Sequence, residues 1–178
     1  MTTANKITLF RILLVPFFMI FLLYDMRYSQ YISAIIFVIA AATDGVDGYV
    51  ARKYDQVTTF GKFIDPLADK LLVTAALIGL VGMQKLDPWF ALIIISREFI
   101  VTSLRIVAIS SGKVIPAAAS GKIKTVIQIC AIVALLIDRI YEISFGGVLL
   151  SNALMILAVI ITVYSGIEYI IKNKELIK

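Results

Sequence analysis

The chain has 178 residues, of which 61% are hydrophobic and only 16% are charged, and its mean hydropathy is +0.97. Soluble domains are about half apolar and about one quarter charged, so this composition indicates one membrane domain, residues 1–178, whose outer surface meets membrane lipids. The net charge of +5 suits anionic lipids or phosphorylated substrates, whereas nucleic acid is excluded as a partner because so little of the chain can lie outside a bilayer.

Six apolar segments follow one another along the chain, and a membrane span needs about 20 such residues. They cover residues 8–23, 31–51, 63–83, 88–109, 124–137 and 148–171. The fifth is short and is expected to borrow flanking residues. Pro16 is expected to kink the first segment or unwind one turn. Cys130 lies in an apolar run and is expected to be a small buried residue. The prediction is an all-α, polytopic membrane protein built as a six-transmembrane-helix bundle.

Basic residues are distributed unequally between the two sides of this bundle. One side carries Lys6, Arg52, Lys53, Lys62, Arg105, Lys113, Lys122, Lys124, Lys172, Lys174 and Lys178. The other side carries Arg27, Lys85 and Arg139. By the positive-inside rule, both termini and the loops after the second and fourth segments face the cytoplasm.

Four aspartates lie at the cytoplasmic ends of the second and third segments: Asp44, Asp47, Asp65 and Asp69. Helical spacing puts each pair on one face, and an antiparallel hairpin would oppose the two faces. Four carboxylates need counterions, which two divalent cations would supply, and such pairs of ions suit phosphoryl chemistry. With no histidine in the chain, the ligands would be oxygens, which favours Mg²⁺ or Mn²⁺. The alternative is a solvated patch of ion pairs with Arg52, Lys53, Lys62 and Lys70.

The residues around these aspartates form a longer pattern: D-x-x-D-G-x-x-A-R, eight residues, G, three residues, D, three residues, D. It is made by Asp44, Asp47, Gly48, Ala51, Arg52, Gly61, Asp65 and Asp69. The pattern resembles the signature of the CDP-alcohol phosphatidyltransferases at every fixed position, and the hydropathy of the whole chain agrees with that family's six-helix fold. The resemblance implies an enzyme of a bacterial cell membrane that joins a CDP-activated lipid to a small alcohol and releases CMP.

The resemblance also implies a role for each matched position. Asp44, Asp47 and Asp65 would be metal ligands. Asp69 would be a ligand or near-ligand and the general base for the acceptor hydroxyl. The CDP site would be lined by Gly48, Ala51, Arg52 and Gly61, with Arg52 on the pyrophosphate. The family further implies a homodimer.

Basic residues outside the signature indicate where the alcohol binds. They are Arg97 and Arg105 in the fourth segment and Lys122 and Lys124 in the fifth. Such cations suit a phosphorylated acceptor. Arg97 needs a partner, and we expect it from another segment because the adjacent Glu98 points elsewhere on the helix. The alternative is that Arg105, Lys113, Lys122 and Lys124 only set the membrane orientation.

Four stretches are similar to the branch of the family whose acceptor is sn-glycerol 3-phosphate: residues 5–11, 65–70, 96–99 and 121–125. This similarity implies phosphatidyl transfer from CDP-diacylglycerol to glycerol 3-phosphate. It places Asn5 and Thr8 near the CDP moiety and Arg11 near the acceptor phosphate, although orientation in the membrane alone would also account for Arg11.

Two other functions compete with this one. The same chemistry could act on another acceptor, as in cardiolipin or phosphatidylinositol-phosphate synthesis, and would differ at the acceptor pocket but not at the aspartates. A cation transporter could also hold intramembrane carboxylates. Transport predicts them near the bilayer midplane on discontinuous helices, whereas here they lie at one membrane face beside an Ala-Arg pair and two glycines.

Overall fold

The computed structural model describes residues 3–24, 28–53, 59–110, 119–137, 144–145 and 148–174, with side chains for 6–24, 28–43, 67–68, 70–108, 120–137 and 150–174. These residues form helices α1 (Thr3–Leu23), α2 (Ser29–Lys53), α3 (Thr59–Gly82), α4 (Pro88–Ser110), α5 (Ala119–Ile137) and α6 (Leu150–Lys172). Strands β1 (Ser144–Phe145) and β2 (Val148–Leu149) pair antiparallel before α6. The helical fold is therefore confirmed, with one short strand pair that the sequence analysis did not predict.

Three details of the helices differ from or refine the predictions. Helix α5 begins at Ala119, so the short fifth segment does borrow residues on its N-terminal side. Helix α1 is continuous through Pro16, so no turn is unwound there, and the alternative of a kink stays a prediction. Cys130 is exposed, not buried, because α5 presents an apolar face outward that also includes Ile123 and Val126. On a helix that meets lipid, an apolar run does not imply burial.

The end of α3 and the start of α4 show why the connection between the two helices is short. At the end of α3, Gln84 adopts a left-handed backbone conformation with φ of 58°, and Lys85 N donates to Leu80 O at 2.9 Å. This pattern closes the last helical turn. Asp87 then caps α4, since its Oδ1 accepts a hydrogen bond from Trp89 N at 2.8 Å. Pro88 occupies the first helical position, where no N–H is needed.

The chain forms two compact units. The first comprises residues 1–85 and 135–141 and contains α1, α2 and α3, which pack against one another. One stripe of α1 is buried in this unit: Thr8, Arg11, Val15, Phe18 and Leu22. The alternating spacing of three and four residues is the spacing by which a helix packs along one side. The Phe18 and Phe37 rings meet between α1 and α2 with centroids 5.7 Å apart.

The second unit comprises residues 86–134 and 142–178, and in it α4 packs against α6. Helix α6 shows the reverse of the pattern found in soluble proteins. Its buried positions include Ser151, Thr162, Ser165 and Gly166. Its exposed positions are mainly large and apolar: Ile156, Leu157, Ile160, Val163, Tyr164, Ile167 and Ile171. Small and polar residues inside, with large apolar residues outside, are typical of a helix surrounded by lipid.

Three helical stretches in the described part of the chain are long and apolar enough to cross a membrane: Lys6–Leu23, Ser120–Ile137 and Leu150–Lys172. Two shorter apolar stretches are Ser29–Thr43 and Lys70–Gly82. Together with the exposed apolar faces, these lengths identify the chain as a membrane protein.

Candidate active site

The direction of α2 relative to α1 follows from two contacts. Arg11 Nε donates to Thr43 Oγ1 at 3.3 Å, and Phe18 contacts Phe37. Moving seven residues forward along α1 therefore moves six residues backward along α2, so the two helices are antiparallel. The N-terminal end of α1 consequently lies beside the C-terminal end of α2.

The position of α3 follows from a small residue. Gly79, near the end of α3, lies so close to α1 that an added Cβ would clash with Leu22 Cδ2 and would lie 3.5 Å from Met19 Sδ. Leu22 is near the end of α1, so the C-terminal ends of α1 and α3 meet, and because the two helices also pack against each other they run parallel. The N-terminal ends of α1 and α3 and the C-terminal end of α2 therefore meet at one end of the first unit. Small residues of this kind let membrane helices approach closely.

This end of the first unit is where the four aspartates stand. Asp44 and Asp47 belong to the last turns of α2, and Asp65 and Asp69 belong to the first half of α3; their side chains lie outside the described residues. Along the backbone, each pair spans no more than about 6 Å at 1.5 Å per residue. The helix positions therefore fit the predicted convergence of the two pairs, and their role as metal ligands stays a prediction.

The spacing of buried residues along α2 indicates which face of the helix carries the aspartate positions. On α2, the buried residues Ser33, Phe37 and Ala40 are spaced by four and three, and the same spacing leads next to Asp44 and Asp47. The aspartate positions thus continue the stripe by which α2 packs within the unit.

Helix α3 shows the same continuity toward its N-terminus. Its buried stripe contains Ala76, Leu72 and Ala68, and the next positions in the same register are Asp65 and Gly61. The predicted CDP-site residues Gly48, Ala51 and Arg52 on α2, Gly61 on α3 and Asn5 on α1 are all at this end of the unit, with side chains outside the described residues.

Arg11 and Thr8 are two predicted site residues at the same end whose side chains the structure describes. Both are buried, and Arg11 is fully enclosed. Thr43 Oγ1 accepts the hydrogen bond from Arg11 Nε and donates its own to Ala40 O at 2.7 Å. The hydroxyl is thereby oriented with its lone pairs toward the guanidinium. Thr43 was missed by the sequence analysis, although it directly precedes Asp44.

In the second unit, Arg97 on α4 is bound to α6. Arg97 Nη2 donates to Ser165 Oγ on α6 at 3.0 Å, and Ser165 Oγ donates to Thr162 O at 3.1 Å. A Cβ at Gly166 would lie 3.0 Å from Arg97 Cγ, so the arginine stem crosses α6 where the residue is a glycine. The prediction that a partner comes from another segment is confirmed, and neither Ser165 nor Gly166 had been expected.

Glu98 corrects a second expectation. Arg97 Nη1 lies 3.5 Å from Glu98 Oε1, so Glu98 does not point away from Arg97 as expected. Glu98 Oε1 also accepts a hydrogen bond from Lys124 Nζ on α5. Free rotation of long side chains about the helix surface explains the error, because position on a helix constrains Cβ but not the terminal atoms.

The predicted acceptor residues have different environments in the second unit. Lys124 is buried and paired with Glu98, whereas Lys122 and Arg105 are exposed. Their proposed common role on one phosphate stays a prediction. Among the side chains that the structure describes, no group of three or more His, Cys, Asp or Glu residues could hold a metal ion. The four aspartates are not among those side chains.

Comparison with known proteins decides the family. The family model described as CDP-alcohol phosphatidyltransferase matches residues 1–164. The chain belongs to this family. The match includes the whole aspartate signature and the residues that form α1 to α5.

Several bacterial members of the family that carry the same name, CDP-diacylglycerol–glycerol-3-phosphate 3-phosphatidyltransferase, are similar to this chain. That of Bacillus subtilis (strain 168) is 47% identical, covering 98% of this chain and 96% of the relative. That of Haemophilus influenzae is 39% identical over 92% of this chain and 89% of its own length. That of Escherichia coli K12 is 37% identical over 92% of this chain and 90% of its own length. The alignment in each case spans nearly the full length of both phosphatidyltransferases.

Proposed function

We propose that this CDP-alcohol phosphatidyltransferase transfers the phosphatidyl group of CDP-diacylglycerol to sn-glycerol 3-phosphate, giving phosphatidylglycerophosphate and CMP in phospholipid biosynthesis. The observation that carries the proposal is the near full-length identity of 37–47% to relatives named for this reaction. The end of the first unit at which α1, α2 and α3 meet supports it, because their backbone brings the signature positions to one place.

The residues at that end fit a pair of divalent ions, Mg²⁺ or Mn²⁺. Asp44, Asp47, Asp65 and Asp69 would hold them, since hard divalent cations prefer carboxylate oxygens. When bound, the ions supply charge stabilisation for both the attacking and the leaving oxygens. Metal dependence is part of the proposal.

The chain's own residues account for the remaining steps. The acceptor hydroxyl oxygen forms a bond to the lipid-linked phosphorus, and Asp69 accepts the proton of that hydroxyl. The bond from that phosphorus to the CMP oxygen breaks, and CMP leaves with its negative charge stabilised by Arg52. Gly48, Ala51 and Gly61 leave room for the nucleotide, with Asn5 and Thr8 beside it. Neither glycine carries a side chain that would keep the pyrophosphate from the backbone.

The acceptor phosphate is assigned to the basic residues outside the signature. The candidates are Arg105, Lys122, Lys124, Arg97 and Arg11. Arg105 and Lys122 are exposed and can meet an acceptor that arrives from water, whereas Lys124 is buried and held in one position by Glu98. Arg97 is bound to Ser165 and Arg11 to Thr43, which favours an orienting role for these two.

We also propose that all six helices span the cell membrane, with both termini and the active site on the cytoplasmic side. The excess of basic residues on that side supports this orientation. The shorter apolar stretches of α2 and α3 are accounted for if their aspartate-bearing ends lie at the membrane surface. The working enzyme is proposed to be a homodimer in contact with membrane lipids.

The experiment that tests the function is a panel of acceptors. Purified enzyme in mixed micelles receives CDP-diacylglycerol and Mg²⁺ together with glycerol 3-phosphate, inositol phosphate, serine or phosphatidylglycerol. We expect CMP release and a phosphatidylglycerophosphate product with glycerol 3-phosphate alone. Product with inositol phosphate or phosphatidylglycerol instead would assign another acceptor. No CMP release with any acceptor would refute the proposed transfer reaction.

A further inference from the structure

A largely buried ion pair joins α4 and α5 in the second unit. Glu98 Oε1 accepts from Lys124 Nζ, and the exposed fractions of the two side chains are 16% and 5%. The same oxygen lies 3.5 Å from Arg97 Nη1. One carboxylate thus lies against two cations in a part of the chain that is shielded from water.

Such an ion pair contributes little to the stability of the fold. The cost of removing two charges from water often cancels their attraction, and an apolar pair of similar size is commonly as stable or more so. Charged side chains within membrane helices therefore usually have a function. Arg97 does not depend on Glu98 alone, since Ser165 binds its other terminal nitrogen. The pairing of Glu98 with Lys124 is the feature that needs an explanation.

We propose that Glu98 is a positioning residue that holds the Lys124 ammonium group where it binds the phosphate of the acceptor. This inference rests on the proposed function. A lysine side chain has four flexible carbons and loses about 2 kcal/mol of rotamer entropy when it is fixed. Glu98 fixes it before the substrate arrives and supplies the counter-charge that a buried ammonium requires. An ammonium has three N–H donors, so its bond to Glu98 is compatible with a bond to a phosphate oxygen.

The first test is Glu98→Gln, which keeps the size of the side chain and removes its charge. We expect the KM for glycerol 3-phosphate to rise about tenfold, since one charge-assisted bond is worth one to two decades of affinity. The KM for CDP-diacylglycerol should stay within twofold. Glu98→Asp keeps the charge but shortens the reach, and we expect a smaller increase. Because it preserves the buried counter-charge, this second variant also serves if Glu98→Gln fails to fold.

The matched control is Glu168→Gln, which removes the charge of another glutamate paired with a lysine. Glu168 Oε1 bonds to Lys172 Nζ at 2.5 Å on one face of α6, where Lys172 is exposed. This substitution should leave both KM values unchanged, because an exposed pair one turn apart contributes little.

Exchanging the two residues of the ion pair distinguishes a positioning role of Glu98 from a purely structural one. In the double variant Glu98→Lys with Lys124→Glu, the ion pair can form again but the ammonium is displaced. We expect the melting temperature of the double variant to be closer to that of the wild type than the melting temperatures of the two single variants are. Its KM for glycerol 3-phosphate should stay about tenfold above the wild-type value. Recovery of that KM together with stability would show a structural pair and overturn the proposal. Unchanged glycerol 3-phosphate KM in a folded Glu98→Gln enzyme would also overturn it. Wild-type enzyme without activity on glycerol 3-phosphate would instead refute the proposed function.

Discussion

The two units of this enzyme hold their charged residues in different ways. In the first unit, the positions of Asp44, Asp47 and Asp65 continue the buried stripes of α2 and α3, and Arg11 is hydrogen-bonded to Thr43 at the same end. In the second unit, Glu98 partly neutralises Arg97 and Lys124, and Ser165 accepts a hydrogen bond from Arg97. A site whose like charges stand together needs a ligand to balance them, whereas a site of mixed charges is nearly balanced already. On this difference we base the proposal that residues of the first unit hold the metal ions and that basic residues of the second unit select the acceptor.

The largest effect should come from removing one carboxylate of the first unit. Asp44→Asn, Asp47→Asn or Asp65→Asn should lower turnover by about 1,000-fold or more, because metal polarisation is worth several kcal/mol. Rates of CMP release measured across a range of Mg²⁺ concentrations check this. Asp87→Asn is the matched control, since asparagine caps α4 as well as aspartate does. Wild-type activity of the three variants at low Mg²⁺ would place the metal elsewhere.

Asp69→Asn tests whether Asp69 acts in the chemical step or in the binding of CDP-diacylglycerol. Loss of a general base costs about 100- to 10,000-fold in rate, and proton acceptance matters only near the transition state. We therefore expect kcat to fall by that factor while affinity for CDP-diacylglycerol changes little, as measured by steady-state kinetics and by equilibrium binding. Equal losses in both would make Asp69 mainly a metal ligand.

The two units also differed in how far the sequence could predict them. The helices and the aspartate signature were predictable, because both depend on spacing along one chain segment, which helical geometry fixes. The partners of Arg97 and Lys124 were not, because they depend on which helices pack together and on the rotamers of long side chains. The exposure of Cys130 was predicted wrongly for a related reason, since hydropathy does not distinguish a lipid-facing residue from a buried one.

Thr43 offers a test of whether the first unit needs its arginine in a fixed orientation. Thr43→Val removes the acceptor of the Arg11 Nε bond at nearly constant volume, whereas Thr43→Ser keeps the hydroxyl. A lost hydrogen bond to a charged group costs about 1.5–3 kcal/mol, so turnover of Thr43→Val should fall by about ten- to 100-fold. Thr43→Ser should remain close to wild type. If both variants keep full activity, the bond has no part in the site.

Arg105 tests the second unit's assignment to the acceptor. Arg105→Ala should raise the KM for glycerol 3-phosphate by about tenfold and leave that for CDP-diacylglycerol unchanged. Arg105→Lys should rescue only part of the loss, because a point charge does not reproduce a forked contact. Saturation curves for both substrates are the measurement. A triple Arg105, Lys122 and Lys124 to Ala variant that inserts correctly with an unchanged KM would leave these residues with a role in orientation alone.

The smallest effect concerns the packing that brings α1 and α3 together. A Cβ at Gly79 would clash with Leu22, a buried side chain, whereas Gly82 has nothing within 4 Å of the same position. Gly79→Ala gains up to about 1 kcal/mol in helix propensity but forces Leu22 to move, and overpacking costs about 1–3 kcal/mol. We expect a melting temperature a few degrees below that of Gly82→Ala, measured in the same detergent. Because the clash lies at the end of the unit opposite Arg11, it should lower stability more than the KM of either substrate. Equal melting temperatures for the two variants would show that α1 and α3 have room to separate at Gly79.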